Sequence, residues 1–125
     1  MVTYIHMTHH DLAREYALEI MRLDIASAPV SLNSWKYDSE RISFKDSNKK
    51  IAWAYKNTHL YRTEKKYAPQ KEESTVEKRI LLQHIPKISF QIGQDTKSVQ
   101  GVTCTITQKE NSQSYHFLLR SGTCI

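Results

Sequence analysis

His6, His9 and His10 form the one cluster in the sequence that has metal-ligand spacing. On a helix His6 and His10 would stand one turn apart and could both face one ion. A zinc hydrolase would need a glutamate directly after the first histidine and a third ligand fixed by spacing, and the sequence supplies neither. Solvated histidines near an exposed end account for the cluster, so no metal is expected. His59 falls in a turn, His84 beside Pro86, and His116 on the solvent side of the last strand, none of them paired by spacing with a nucleophile. The serines and threonines lack a glycine-flanked elbow, and neither cysteine has a catalytic neighbour. Gly93, Gly101 and Gly122 are too few and too scattered to cradle a phosphate. Glu72 and Glu73 lie in a polar insertion, away from the fixed geometry that acid and base chemistry requires. The expectation is a protein that is not an enzyme and carries no cofactor.

Binding chemistry is better represented. Trp53, Tyr55, Tyr61 and Tyr67 interleave with Lys49, Lys50, Lys56, Arg62, Lys65 and Lys66, and aromatic platforms within a basic groove are what single-stranded nucleic acids need. Trp53 and Tyr55 share strand parity with Ile51, which argues that they belong to the core. No RNA-recognition consensus or helix-turn-helix signal accompanies the pattern. The formal charge of +5 is uneven. Residues 1–35 hold two basic and four acidic groups, residues 36–90 thirteen and seven, and the remainder three and two. A basic middle third attracts nucleic acid, anionic lipid or an acidic partner, and a lysine-rich surface that guards sheet edges has the same composition.

At 125 residues the chain is one domain with one core. No window approaches the roughly 18 apolar residues of a membrane span, and Met1 to His10 lacks the apolar centre of a secretory signal. Cys104 and Cys124 match no zinc spacing and allow one disulfide if Ser121-Gly122 turns the chain back; two free thiols are the alternative.

The elements that must position these groups follow from periodicity. Leu12, Ala13, Tyr16, Ala17, Ile20 and Leu23 fall on one stripe of a helix within residues 1–28, with Arg14, Glu15, Glu19 and Arg22 opposite. Thr8 and Asp11 resemble a capping signal, while Val2, Ile5 and His9 would carry the stripe back to Met1, and Pro29 ends the helix. Trp35 and Tyr37 suit a short edge strand or a lid over the core. Ile42 and Phe44, then Ile51, Trp53 and Tyr55, then Ile88, Phe90 and Ile92 recur at the strand spacing of two. With Asn57-Thr58 as a turn, Tyr55 pairs with Leu60 and Trp53 with Arg62. Residues 64–75 read as a mobile polar insertion. Ser74 and Glu77 suggest one or two helical turns before Ile85, with a strand edge as the alternative. A loop over Lys109–Gln113 closes a last hairpin in which Cys104 faces Phe117.

Three runs carry a resemblance: Ile51–Tyr55 into Leu60-Tyr61-Arg62, Leu81–Ile85 into Ile88-Ser89-Phe90, and Val102–Ile106 closing with Phe117–Arg120. With the amphipathic helix before them, this succession resembles the soluble part of minor pseudopilins of the J type from type II secretion, and equally of F-type competence pseudopilins. The resemblance implies a pilin-like α+β fold, one helix packed on an antiparallel sheet of about five or six strands, with the sheet region spanning residues 30–125. It implies an extracytoplasmic subunit of a secretion or DNA-uptake filament, anchored in the membrane by a segment that this sequence lacks. Other minor pseudopilins would be its partners, DNA a further one. The partner-binding residues would be Leu12, Tyr16, Ile20 and Leu23. A basic module for single-stranded nucleic acid is the alternative.

Overall fold

In a computed structural model the described residues form one α-helix, a short 3-10 turn and eight strands. Residues 9–46, 48–67 and 75–119 are described. Helix α1 (His9–Ala26) leads through a short 3-10 turn to β1 (Trp35–Asp38), β2 (Arg41–Lys45), β3 (Lys49–Lys56), β4 (His59–Lys66), β5 (Thr75–Leu82), β6 (Lys87–Gln94), β7 (Val99–Gln108) and β8 (Asn111–Leu118). Strands β1 to β5 make one antiparallel meander, and β6 to β8 make a second. The expected pilin-like fold, one helix on a single sheet, is therefore not the one adopted: the fold is mostly β, with two sheets facing a shared core.

Dimensions explain the correction. Five strands span about 19 Å across, whereas a helix with its side chains is only about 10 Å wide. One helix cannot cover that apolar face, so the second sheet does. β6 lies against β1, β2 and β3, and its buried Ile88 and Phe90 meet Ile42, Phe44, Ile51 and Trp53 in one cluster. Helix α1 covers the other end of the same face, against β5, and packs on β8 as well. Between the sheets, Phe90 N–H donates to the Ser39 carbonyl and Ser31 bridges to Ser98.

The helix is rotated from the expected stripe. Ala17, Met21, Asp24 and Ile25 are buried, while Leu12, Tyr16 and Leu23 are each more than half exposed. Ile20 and Ala13 flank the core. Asp24 decides this rotation. Its carboxylate accepts the Trp53 indole N–H at 2.8 Å and the Arg62 guanidinium at 2.7 and 2.8 Å. Arg62 also reaches Glu64 at 3.3 Å, and bonding to Asp24 holds the guanidinium's proton more firmly than usual. A charge so placed brings Met21, three residues back, inward with it, and Ala17 and Ile25 lie four residues either side of Met21 on the same row.

Several local expectations hold. Trp53 pairs with Arg62 and Tyr55 with Leu60. Asn57 and Thr58 both have positive φ, as a two-residue hairpin with strand-matched twist demands. The helix stops short of Pro29, and β1 is an edge strand whose Trp35 donates to the Pro29 carbonyl and tilts on Phe44. Others need correcting. Glu64 to Lys66 belong to β4, and β5 starts at Thr75, so the polar insertion is shorter than residues 64–75. Residues 76–82 are strand, paired along β4, and not helical turns. The last loop is tighter than Lys109–Gln113, since Asn111–Gln113 continue the ladder. That shifts the register by two and sets Cys104 opposite Tyr115. Gly101 is required in β7, where a Cβ would lie 2.5 Å from the Phe117 carbonyl oxygen. The helix start, the 68–74 stretch, Ser74 and Cys124 lie outside the described residues.

Removing one member of a buried ion pair strands the other, so Asp24→Ala or Arg62→Ala is expected to cost about 3–5 kcal/mol in urea unfolding. The double replacement Asp24→Leu with Arg62→Met is expected to cost less than either single change. A double variant as unstable as the sum of the two would show that the pair does not act as a unit. Cys104 gives a second check. Its free thiol is buried, and burial pushes its pKa up to about 12 from 9.0. In that window the unfolded thiol loses its proton while the folded one keeps it, so stability falls as pH rises. Cys104→Ala should flatten that alkaline decline in stability. Native Cys104 should also resist alkylation near pH 8 and react once urea unfolds the chain, as peptide mass spectrometry can follow residue by residue.

Candidate polyanion-binding face

Alternation along the strands gives the five-stranded sheet two unlike sides. Ile42, Phe44, Ile51, Trp53 and Leu60 point to the core and are almost wholly buried. Their neighbours Lys36, Arg41, Lys45, Lys50, Lys56, Lys65 and Lys78 stand on the other side, as successive strand residues must. Ser43, Ala52, Ala54 and Thr63 lie between them, short side chains that leave the middle of the face low. The result is an open depression of about 440 Å³, lined by Arg41, Lys50, Lys56, Lys65 and Lys78 around the alanines.

Register brings the charges together. Lys45 pairs with Lys50 across β2 and β3, and Lys50 with Lys65 across β3 and β4. Like charges directly opposite one another cost stability. Burial, followed by the charges of Arg41, Lys36, Lys45 and Lys65, lowers the pKa of Lys50. Carboxylates are scarce on this side. Asp38 sits at the β1 end, and its Oδ1 accepts the Glu40 N–H. Glu64 and Glu77 belong to the opposite side, engaged with Arg62 and Arg79.

The aromatic residues divide. Trp53 is fully buried, and the Tyr55 hydroxyl donates to the Ile85 carbonyl, so both serve the core, as their parity implied. Tyr61 and Tyr67 remain on the basic side, with Lys78 over the Tyr61 ring at 4.6 Å and Lys65 over Tyr67 at 5.7 Å. Arg62 and Lys66 face the helix side with Glu64. What sequence reasoning missed was Lys36, Arg41, Lys45 and Lys78, which come from strands separated along the chain. Strand parity marks each as outward, but only the ladder sets them side by side.

The four residues expected at a partner contact are not all equivalent. Leu12, Tyr16 and Leu23 form an outward stripe, and Ile20 packs at the margin of the core. Arg22 and Glu19 pair beside that stripe. Among the described residues no group of three His, Cys, Asp or Glu could hold a metal ion, and no helix is long and apolar enough to cross a membrane. His6 and the side chains of His9 and His10 lie outside the description. No protein-family model matches the sequence, and no curated protein matches it.

Relief of one central charge should be measurable. Lys50→Gln is expected to raise stability by about 0.5 kcal/mol at low ionic strength. Most of that gain should vanish in about 1 M salt. Thermal melts at the two ionic strengths test this, and an equal effect at both would point to packing instead of charge.

Proposed function

We propose that the chain is a non-enzymatic binding module whose working surface is the outer face of the five-stranded sheet, and that its ligand is an extended polyanion, single-stranded nucleic acid foremost. The row Lys45–Lys50–Lys65 carries this reading. Edge protection does not explain it, because Lys50 and Lys65 stand on interior strands. A ligand with regularly spaced negative charges would offset the repulsion, while Tyr61 offers a ring for stacking beside the phosphate path. An anionic lipid surface would also be attracted by charge. The low centre of the face, floored by alanines and walled by lysines, suits a strand lying within it better than a flat surface lying on it.

The filament-subunit reading keeps one specific observation in its favour. Leu12, Tyr16 and Leu23 form an exposed apolar stripe on α1 of the kind that contacts a partner helix. On that reading the domain would sit on the extracytoplasmic side with other pilin-like subunits. The fold from which the resemblance drew its expectation is not the fold found, so this reading stands second.

Fluorescence anisotropy with an oligothymidylate tests the first reading. With about five phosphate contacts, log K should fall against log salt with a slope of about −3.5. Replacing Lys45, Lys50 and Lys65 together by Gln should reduce that slope by about 2. Replacing Lys87 and Lys97 by Gln should leave it unchanged. No binding at low salt, or binding to anionic vesicles that the oligonucleotide cannot displace, would overturn the reading.

A further inference from the structure

A second depression, of about 560 Å³, lies where α1 meets the β7–β8 hairpin and the β5–β6 connection. Its volume is in the range of small-molecule sites. It shares no lining residue with the basic sheet face. Ile106 and Pro86 contribute apolar surface, and every other lining side chain can donate a hydrogen bond: Arg14, His84, Gln108, Lys109, Asn111 and Gln113. No carboxylate lines it.

The donors are oriented by the protein's own bonds. Arg14 Nη1 donates to Gln113 Oε1 at 3.3 Å, and Nη2 donates to Gln108 Oε1. The Tyr115 hydroxyl also donates to Gln113 Oε1 at 2.7 Å. Both glutamines accept through their oxygens in these bonds, which leaves the Nε2 donors unused by them. The guanidinium has five N–H groups, and these bonds occupy only two. Its Nε is buried with no hydrogen-bond partner among the described residues. Lys109 and His84 border the depression in left-handed backbone conformations, with φ of 53° and 57°. A cationic fork held in place by amides, beside further donors and with no competing anion, is complementary to a compact oxyanion.

We propose that this depression binds a small molecule through a carboxylate or phosphate group, which accepts hydrogen bonds from Arg14, Gln108 Nε2 and Gln113 Nε2 and is attracted by Lys109. Ile106 and Pro86 would contact the apolar remainder of the ligand. The site is independent of the polyanion face and does not rest on its assignment.

The experiment is a ¹⁵N-detected titration of the full chain near neutral pH, following the Arg14 Nε–H and the side-chain amides of Gln108 and Gln113. Succinate and inorganic phosphate are added in separate arms, with chloride at matched ionic strength as control. Saturable shifts of these signals with succinate or phosphate, absent with chloride, are expected, and the tighter arm tells carboxylate from phosphate. Arg14→Gln should weaken binding by at least about tenfold. If that variant fails to fold, Lys109→Glu in the exposed turn provides the same test and should also abolish saturation. The triple change of Lys45, Lys50 and Lys65 to Gln should leave the affinity unaltered. Shifts that merely track ionic strength, variants that bind as the parent does, or loss of binding in the triple variant would each overturn the proposal.

Discussion

The bond between Asp24 and Arg62 is the constraint from which the rest of the arrangement follows. It joins the only helix among the described residues to the fourth strand, and it does so where both groups are largely removed from water. Desolvated charges tolerate little error in placement, because each must keep its partner or be left uncompensated. Trp53 adds its indole N–H to the same carboxylate, so the largest fully buried side chain is oriented by the group that faces the core from the helix. Helix, sheet and core are tied at one point.

With the helix held there, the division of labour between the sheets becomes clear. The second sheet closes the part of the first that the helix cannot reach, and Tyr55 reaches Ile85 in the connection between them. Ile42, Phe44, Ile51, Trp53 and Leu60 on the inner side of the five-stranded sheet are thereby covered, while its outer side stays open. That side carries basic residues from all five strands and has almost no acid to neutralise them. A surface under such self-repulsion is less stable alone than with an anion on it, and ligands that bind only the folded state return that stability by mass action. On the proposed reading, the repulsion on that face is what a bound polyanion would relieve.

The register of the β3–β4 hairpin could be read directly from the chain. Asn57-Thr58 sets it, and the pairing of Trp53 with Arg62 follows residue by residue. Strand parity likewise separated Trp53 and Tyr55, which are core, from Tyr61, which stands on the basic side. Periodicity was less informative for the helix. Leu12, Tyr16 and Leu23 are apolar and correctly spaced, yet they face outward, because the core side of the helix is taken by the row Ala17, Met21 and Ile25, with Asp24 beside it in its ion pair. No count of apolar residues registers an aspartate that turns inward to meet an arginine thirty-eight positions later. The number of sheets was hidden for a related reason: alternation says that a strand has a covered face, but not whether helix or sheet covers it.

From the sequence alone came most of the strands, the Asn57-Thr58 turn, the end of the helix near Pro29 and the concentration of positive charge in the middle third. These depend on local backbone preference and on period, which act over a few residues. Tertiary structure alone decided the division into two sheets, the face that α1 presents and the meeting of Lys45, Lys50 and Lys65 in one row. Those depend on long-range register and on which desolvated charges find partners, and such terms exist only once distant segments have been brought together.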